Sequence, residues 1–216
     1  MNIVFMGPPG AGKGTQAEKI ISEFKIPHIS TGDAFRLAMS QGTPMGAKAK
    51  DYVEKGLLVP DDITIGIVRE RLQLDDCDNG FLLDGFPRTL KQAEALDEMM
   101  ISMGKNIDHV INLNVDRNYL MARLTGRWIC KSCGATYHVL FNPPLQEGIC
   151  DKCTGALYQR SDDTAEKVGT RLDEYINKTA PLLQFYESNG LLRQVNGEQE
   201  IDAVTNLIST LLRGRT

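Results

Sequence analysis

Nine residues near the N-terminus, Gly7-Pro8-Pro9-Gly10-Ala11-Gly12-Lys13-Gly14-Thr15, have the composition of a phosphate-binding loop. Glycines let backbone N–H groups turn inward around phosphate oxygens, and a lysine adds a point charge for the β and γ phosphates. The loop follows an apolar run, Ile3 to Met6, and opens a helical segment from about Lys13 to Phe24. A strand before and a helix after are what such a loop needs, because the helix N-terminus contributes a favourable dipole. One position departs from the general pattern. Gly14 stands where a Ser or Thr usually follows the lysine, and Thr15 comes one residue later. A magnesium ion at this loop is therefore expected to be held largely through water and phosphates, which suits its reluctance to dehydrate.

A second constellation is made of sulfur. Cys130-Lys131-Ser132-Cys133 is followed, after sixteen residues, by Cys150-Asp151-Lys152-Cys153. Two CxxC knuckles at this separation offer four thiolates to one tetrahedral metal, with no open position for catalysis. Zinc is expected, although iron can take the same four sulfurs. Two disulfides are the alternative, disfavoured if the chain is cytosolic. The fifth cysteine, Cys77, reads as a small apolar core residue. Six arginines, Arg36, Arg88, Arg123, Arg127, Arg160 and Arg171, are scattered along the chain. Their planar, permanently charged guanidinium forks suit phosphate oxygens. Asp84 ends an apolar stretch, Gly80 to Asp84, at the edge where α/β proteins bind ligands.

These groups need a scaffold. Short apolar runs at Ile3–Met6, Ile26–Ile29, Gly80–Asp84, Val110–Leu113 and Leu192–Val195 alternate with helical patterns, which predicts an α/β fold with a parallel sheet. The clearest helix is the last, with Ile201, Val204, Ile208 and Leu211 on one face. Asp163-Thr164-Ala165-Glu166 reads as a capping box opening another helix, and Pro181 is expected to kink or split it. Two stretches break the alternation. Residues 30 to 60 read as short helices tied by Gly42, Pro44, Gly46, Gly56 and Pro60, and residues 127 to 160 hold the four clustered cysteines and the one tryptophan. Both read as insertions on the core.

Composition narrows the rest. The 216 residues are 42% hydrophobic and 24% charged, with a formal net charge of −4. That balance argues against a nucleic-acid binder, which needs a basic face. No apolar run approaches membrane-spanning length, and Met1–Met6 reads as a first strand without the basic region of a signal peptide. A cytoplasmic monomer is expected. His28, His109 and His138 have no clear partners in sequence and receive no catalytic role.

The shifted Lys13-Gly14-Thr15 ending resembles the adenylate kinases, and the resemblance extends along the whole chain. Ser30-Thr31-Gly32-Asp33 with Arg36, Asp84-Gly85-Phe86-Pro87-Arg88, Leu124-Thr125-Gly126-Arg127 and Arg160-Ser161-Asp162-Asp163 are similar to that family's successive motifs. The resemblance implies a P-loop core of residues 1–29, 60–126 and 161–216, with a parallel sheet flanked by helices. It also implies two mobile inserted subdomains: an NMP-binding segment, 30–59, and a zinc-binding lid, 127–160. By resemblance, Gly10, Ala11, Gly12, Lys13, Gly14 and Thr15 hold ATP phosphates, while Arg127, Thr136, Tyr137 and Gln199 lie around ATP. Thr31, Arg36, Leu57, Leu58, Val59, Gly85, Phe86, Pro87, Arg88 and Gln92 bind AMP. Arg123, Arg160 and Arg171 reach across both phosphate chains, and Asp84 orients magnesium through water. The implied reaction is magnesium-dependent: ATP plus AMP gives two ADP, reversibly, with structural zinc in the lid. Two alternatives remain open from the residues themselves. One is another nucleoside monophosphate kinase or a GTP-using AMP kinase. The other is a zinc-ribbon module that binds nucleotide without catalysis. Bland roles also stand beside the functional ones: Gln92 completing a cap with Thr89, Asp33 and Asp84 capping helices, Gln199 partnering a cap, and Arg171 as a surface charge.

Overall fold

The computed structural model describes residues 1–214; Arg215 and Thr216, the end of the expected 161–216 core segment, lie outside them. In chain order the strands are β1 (Asn2–Met6), β2 (His28–Ser30), β3 (Phe81–Asp84), β4 (His109–Asn114), β5 (Arg127–Cys130), β6 (Thr136–His138), β7 (Leu157–Tyr158) and β8 (Leu192–Asn196). The helices are α1 (Lys13–Phe24), α2 (Thr31–Ser40), α3 (Pro44–Lys55), α4 (Asp61–Leu72), α5 (Leu90–Ser102), α6 (Arg117–Thr125), α7 (Ala165–Glu174), α8 (Leu182–Ser188) and α9 (Ile201–Arg213).

Five strands form a parallel sheet in the order β2-β3-β1-β4-β8. The central strand β1 is buried along its whole length. Because side chains alternate across a strand, Ile3 and Phe5 enter one apolar layer with Ile20, Leu172, Val204 and Ile208, and Val4 and Met6 enter another with Val68, Leu72, Leu96 and Tyr186. Helices α1, α6, α7 and α9 thus cover one face, and α4, α5 and α8 the other. This three-layer arrangement is what continuous apolar strands require. The expected strand at 26–29 forms two residues later, at 28–30, in register with β3. On α9 the buried stripe is Val204, Ile208 and Leu212, with Leu211 half-buried and Ile201 exposed, so the helix is turned slightly from the expected face.

Pro181 does break its helix, but the break starts earlier. α7 gives way at Tyr175 to a wide π turn, Tyr175–Thr179, before α8 begins. The capping box expected at Asp163 does not form. Thr164 occupies the N-cap without a side-chain hydrogen bond, and Asp163 is turned inward to arginines instead. A buried carboxylate facing two guanidinium groups gains far more than it would from a surface cap.

Residues 127–160 carry the second sheet, antiparallel, in the order β6-β5-β7. Its apolar cluster is small: Cys130, Ala135, Tyr137, Cys150 and Leu157, with Trp128 packed against them. At about 1.5–3 kcal/mol for each large apolar side chain fully buried, so few groups offset little of the ordering cost of over thirty residues. Helices α2 and α3 share another small cluster, Phe35, Ala49 and Val59.

Candidate functional site

A cleft of about 590 Å³ opens at the C-terminal edge of the parallel sheet, beside the N-terminus of α1. Gly7 to Gln16 form one wall, with Gly12 at φ 96° as the residue before the helix, a left-handed conformation that glycine adopts without strain. Gly10 to Thr15 therefore face the cleft. Lys13 Nζ folds back on the loop, donating to the Gly7 carbonyl at 2.8 Å and the Pro8 carbonyl at 3.0 Å. Burial lowers Lys13 to a pKa of about 8. Asp84 opposes that shift, and Arg88, Arg171 and Arg127 add to it. For Asp84, burial pushes the carboxyl up, but the neighbouring His28 imidazole and the charges of Lys13 and Arg88 outweigh it and hold the group below its usual range.

The arginines arrive from different elements. Arg36 lies on α2, Arg88 on the turn after β3, Arg127 at the start of β5, Arg160 after β7 and Arg171 on α7; all five line the cleft. Each is partnered. Arg127 grips Asp163 with two bonds of 2.8 and 2.6 Å. Arg171 donates to Asp163 at 2.9 Å and lies 3.2 Å from Asp162. Arg36 pairs with Asp33 at 2.6 Å, and Arg160 reaches the same carboxylate at 3.4 Å, joining the 127–160 segment to the 30–59 segment. Burial lowers Arg160 to about 10, with Arg36 and Arg127 repelling it further, yet it stays charged at neutral pH. Asp33, pushed up by burial, is drawn down to about 2 chiefly by Arg36. Arg171 is thus no loose surface charge, and Asp33 is no helix cap: Ser30 caps α2 by accepting from the Asp33 N–H.

Arg123 is placed differently. Its guanidinium donates to the Gly197 carbonyl at 2.9 Å, and Gly197 lies against the P-loop, where an added Cβ would fall 3.1 Å from the Ala11 carbonyl oxygen. Arg123 thus stands beside the phosphate loop and Gln199, while Arg127, four residues further on at the start of β5, pairs with Asp163. Thr136 and Tyr137 line the cleft on β6, but the Tyr137 hydroxyl turns away, to the Cys150 sulfur at 3.4 Å and the Asp151 N–H.

A smaller recess of about 80 Å³ adjoins the cleft, lined by Thr31, Arg36, Leu57, Leu58, Val59, Gly85, Arg88 and Gln92. Gly85 sits at φ 81°, and a Cβ there would lie 2.7 Å from the Arg88 guanidinium and 3.0 Å from the Thr31 hydroxyl. Only glycine leaves those two groups in place. Pro87 faces the main cleft, whereas Phe86, expected among the nucleotide contacts, is buried in the apolar layer with Leu83 and Leu96. The Gln92 N–H receives its cap from Thr89 at 3.2 Å, but the Gln92 side chain serves elsewhere. Its Oε1 accepts from the Arg88 N–H at 2.8 Å and its Nε2 donates to Asp61 at 2.7 Å.

The four sulfurs of Cys130, Cys133, Cys150 and Cys153 all lie within 4.8 Å of one another, with Cys130–Cys153 at 3.4 Å and Cys133–Cys150 at 3.6 Å. A tetrahedron of sulfurs around zinc at about 2.3 Å has edges of about 3.8 Å. The cluster has that size, its cysteines form no disulfide, and the Ser132 N–H points at the Cys130 sulfur, as it would at a thiolate. The donor set fits zinc.

A P-loop, a convergence of arginines from five elements and a tetrathiolate cluster in one chain describe a phosphoryl-transfer site. A profile described as adenylate kinase matches residues 5–191. The chain belongs to the adenylate kinase family. The adenylate kinase of Geobacillus sp. (strain WCH70) is 60% identical over 214 residues, 99% of each chain. That of Bacillus licheniformis is 61% identical over 215 residues, covering 100% of this chain and 99% of its own. That of Desulforamulus reducens is 61% identical over 206 residues, covering 95% and 97%.

Four residues at the adenylate kinase site were given no role there by the sequence. His28 Nε2 stands 3.6 Å from Asp84, placed there by the register of β2 on β3. Asp162 and Asp163 hold arginines although a capping pattern was the natural local reading. His138 ties the 127–160 segment to α6: its Nδ1 accepts from the Leu140 and Phe141 N–H groups, and its Nε2 lies 3.1 Å from the Ala122 carbonyl.

Proposed function

We propose that the chain catalyses reversible, magnesium-dependent transfer of a phosphoryl group between ATP and AMP, giving two ADP. The observation that carries this is the placement of Lys13 and six arginines around one cleft, with a second, smaller recess at its side. Phosphoryl transfer needs no covalent help, only alignment and stabilisation of charge on the moving group. The loop from Gly10 to Thr15 takes the ATP phosphates, and Lys13 leaves its loop carbonyls for the β and γ oxygens. Gln199 lies beside ATP, and Thr136 with the Tyr137 backbone closes over it. Thr31, Gly85, Gln92 and the 57–59 backbone receive AMP, and Arg36 and Arg88 hold its phosphate. Arg123, Arg160 and Arg171 reach across both phosphate chains, and Arg127 lies at ATP. Magnesium supplies charge neutralisation on the phosphates; Asp84, ionised and at the sheet edge, is the carboxylate that fits its hydration shell. Residues 30–59 and 127–160 act as mobile flaps on a core of 1–29, 60–126 and 161–216. Closing them excludes water, which otherwise competes with AMP for the phosphoryl group.

Zinc, held by Cys130, Cys133, Cys150 and Cys153, clips the lid. Reduced thiols in that number suit a reducing, cytoplasmic compartment, and a cleft complete within one chain needs no second copy. No helix among the described residues is long and apolar enough to cross a membrane.

Acceptor choice is the direct test. Gln92→Leu should raise KM for AMP about tenfold, the value of one or two hydrogen bonds to a buried base, and leave KM for ATP within about twofold. Equal kcat/KM for UMP or GMP and AMP in the unaltered protein would overturn the assignment of the recess.

Lys13 gives a pH signature. Depressed to about 8 in the free chain, it is about half protonated at pH 8. Phosphate oxygens favour its charged form, so binding of magnesium-ATP at pH 8 should take up about half a proton. Affinity should then weaken as pH rises above 8. Calorimetry at pH 8 in two buffers of different ionisation enthalpy measures the uptake, and Lys13→Arg should abolish it. No uptake in the unaltered chain would mean that Lys13 is already fully charged in the empty loop.

A further inference from the structure

Asp61 is the first residue of α4 and faces the start of α5. Its Oδ1 accepts from Gln92 Nε2 at 2.7 Å and from the Thr89 hydroxyl at 3.0 Å. On the other side of the same amide, Gln92 Oε1 accepts from the Arg88 N–H at 2.8 Å. We infer that Asp61 is a positioning residue that locks the orientation of the Gln92 amide and so makes the acceptor site select a 6-amino purine over a 6-oxo purine.

The argument rests on the reading of Gln92 as the base contact and adds what decides its preference. A glutamine amide looks nearly the same when its oxygen and nitrogen are exchanged, and its partners alone fix which is which. Here the partners cannot be exchanged. A carboxylate only accepts, and a backbone N–H only donates. Turning the amide over would set Gln92 Oε1 against the Asp61 carboxylate and Nε2 against the Arg88 N–H, two repulsive contacts in place of two bonds. Gln92 is 2% exposed, so water cannot relieve them. Once both clamps are made, the amide keeps one N–H and one oxygen lone pair for the recess. The edge of adenine presents a donor, the 6-amino group, beside an acceptor, N1, and complements that pair. A 6-oxo purine presents the reverse, an acceptor beside a donor, and needs the turned amide. The clamp therefore works against the wrong base as well as for the right one.

The test uses the full-length, metal-loaded enzyme with ATP as donor. AMP and IMP are compared as acceptors, because IMP reverses the edge without adding the 2-amino group of GMP. Asp61→Asn keeps shape but offers either an oxygen or an NH2 to Gln92. It should lower the ratio of kcat/KM for AMP to that for IMP by about tenfold, through a higher KM for AMP and a lower one for IMP, with kcat for AMP and KM for ATP little changed. Asp61→Ala removes the acceptor altogether and should move the ratio the same way; it replaces Asp61→Asn if that variant does not fold. In a Gln92→Leu background, Asp61→Asn should change the ratio no further. An unchanged ratio in Asp61→Asn or Asp61→Ala, with Gln92→Leu still raising KM for AMP, overturns the clamp and leaves the base site standing. A Gln92→Leu variant with unaltered AMP kinetics overturns the base site itself. A loss of kcat for both acceptors alike, with the ratio preserved, makes Asp61 a brace between α4 and α5 only, which also overturns the inference.

Discussion

Replacing Arg160 or Arg88 by alanine is expected to lower the single-turnover rate on the order of 10²-fold or more, the usual cost of a charge contact made in the transition state. Both guanidinium groups line the cleft, and both are pushed down by burial yet remain charged, so each is a cation already stripped of much of its water. Such a cation interacts with developing charge more strongly than a solvated one. Arg127→Ala belongs with them. Arg123→Ala belongs with them too, because its guanidinium sits on the Gly197 carbonyl beside the P-loop. Rapid-quench single turnovers, with zinc content and melting measured on the same preparations, separate these outcomes. Near-normal turnover in both Arg160→Ala and Arg88→Ala would remove the phosphate cluster as the seat of catalysis.

The second large effect concerns stability. Purified, reduced protein should carry about one zinc per chain. Cys130→Ser, or removal of the metal by a chelator, should lower the temperature of irreversible inactivation by about 10 °C or more, since a structural zinc contributes much of the folding free energy of a segment this small. The lid's own apolar cluster has only Ala135, Tyr137 and Leu157 beside two of the cysteines, with Trp128 at its edge. The reaction rate at low temperature should fall much less, because none of the four cysteines lines the cleft. Freshly purified protein without metal, or a Cys130→Ser variant as heat-resistant as its parent, would dismiss the metal clip.

What was legible in the sequence was what is local. The P-loop is contiguous, so Gly10 to Thr15 lie together wherever the strand and helix go. Each CxxC knuckle is likewise a single turn, and spacing alone joins the two. The arginines were legible as a set through family resemblance but not as geometry. Arg123 and Arg127 are four residues apart, and only the end of α6 at Thr125 decides that one faces Gly197 and the other Asp163. Asp163 was misread because the residue before a helix is most often a cap, and a tertiary partner overrode that local preference. Phe86 puts its side chain into the apolar layer, because a motif carries structural and contacting residues side by side. His28 and Asp61 were illegible for a simpler reason: their partners lie 56 and 31 residues away, across a strand pairing and a helix pairing.

The carboxylates of Asp33, Asp162 and Asp163 have a consequence for turnover. In the free chain they occupy the same guanidinium groups that the phosphates need. Substrate binding is thus an exchange of one anion for another, and the net attraction is smaller than a bare cluster of arginines would give. A kinase that must let go of two highly charged products in every cycle gains from such built-in competitors. They keep the product complex from becoming a thermodynamic sink.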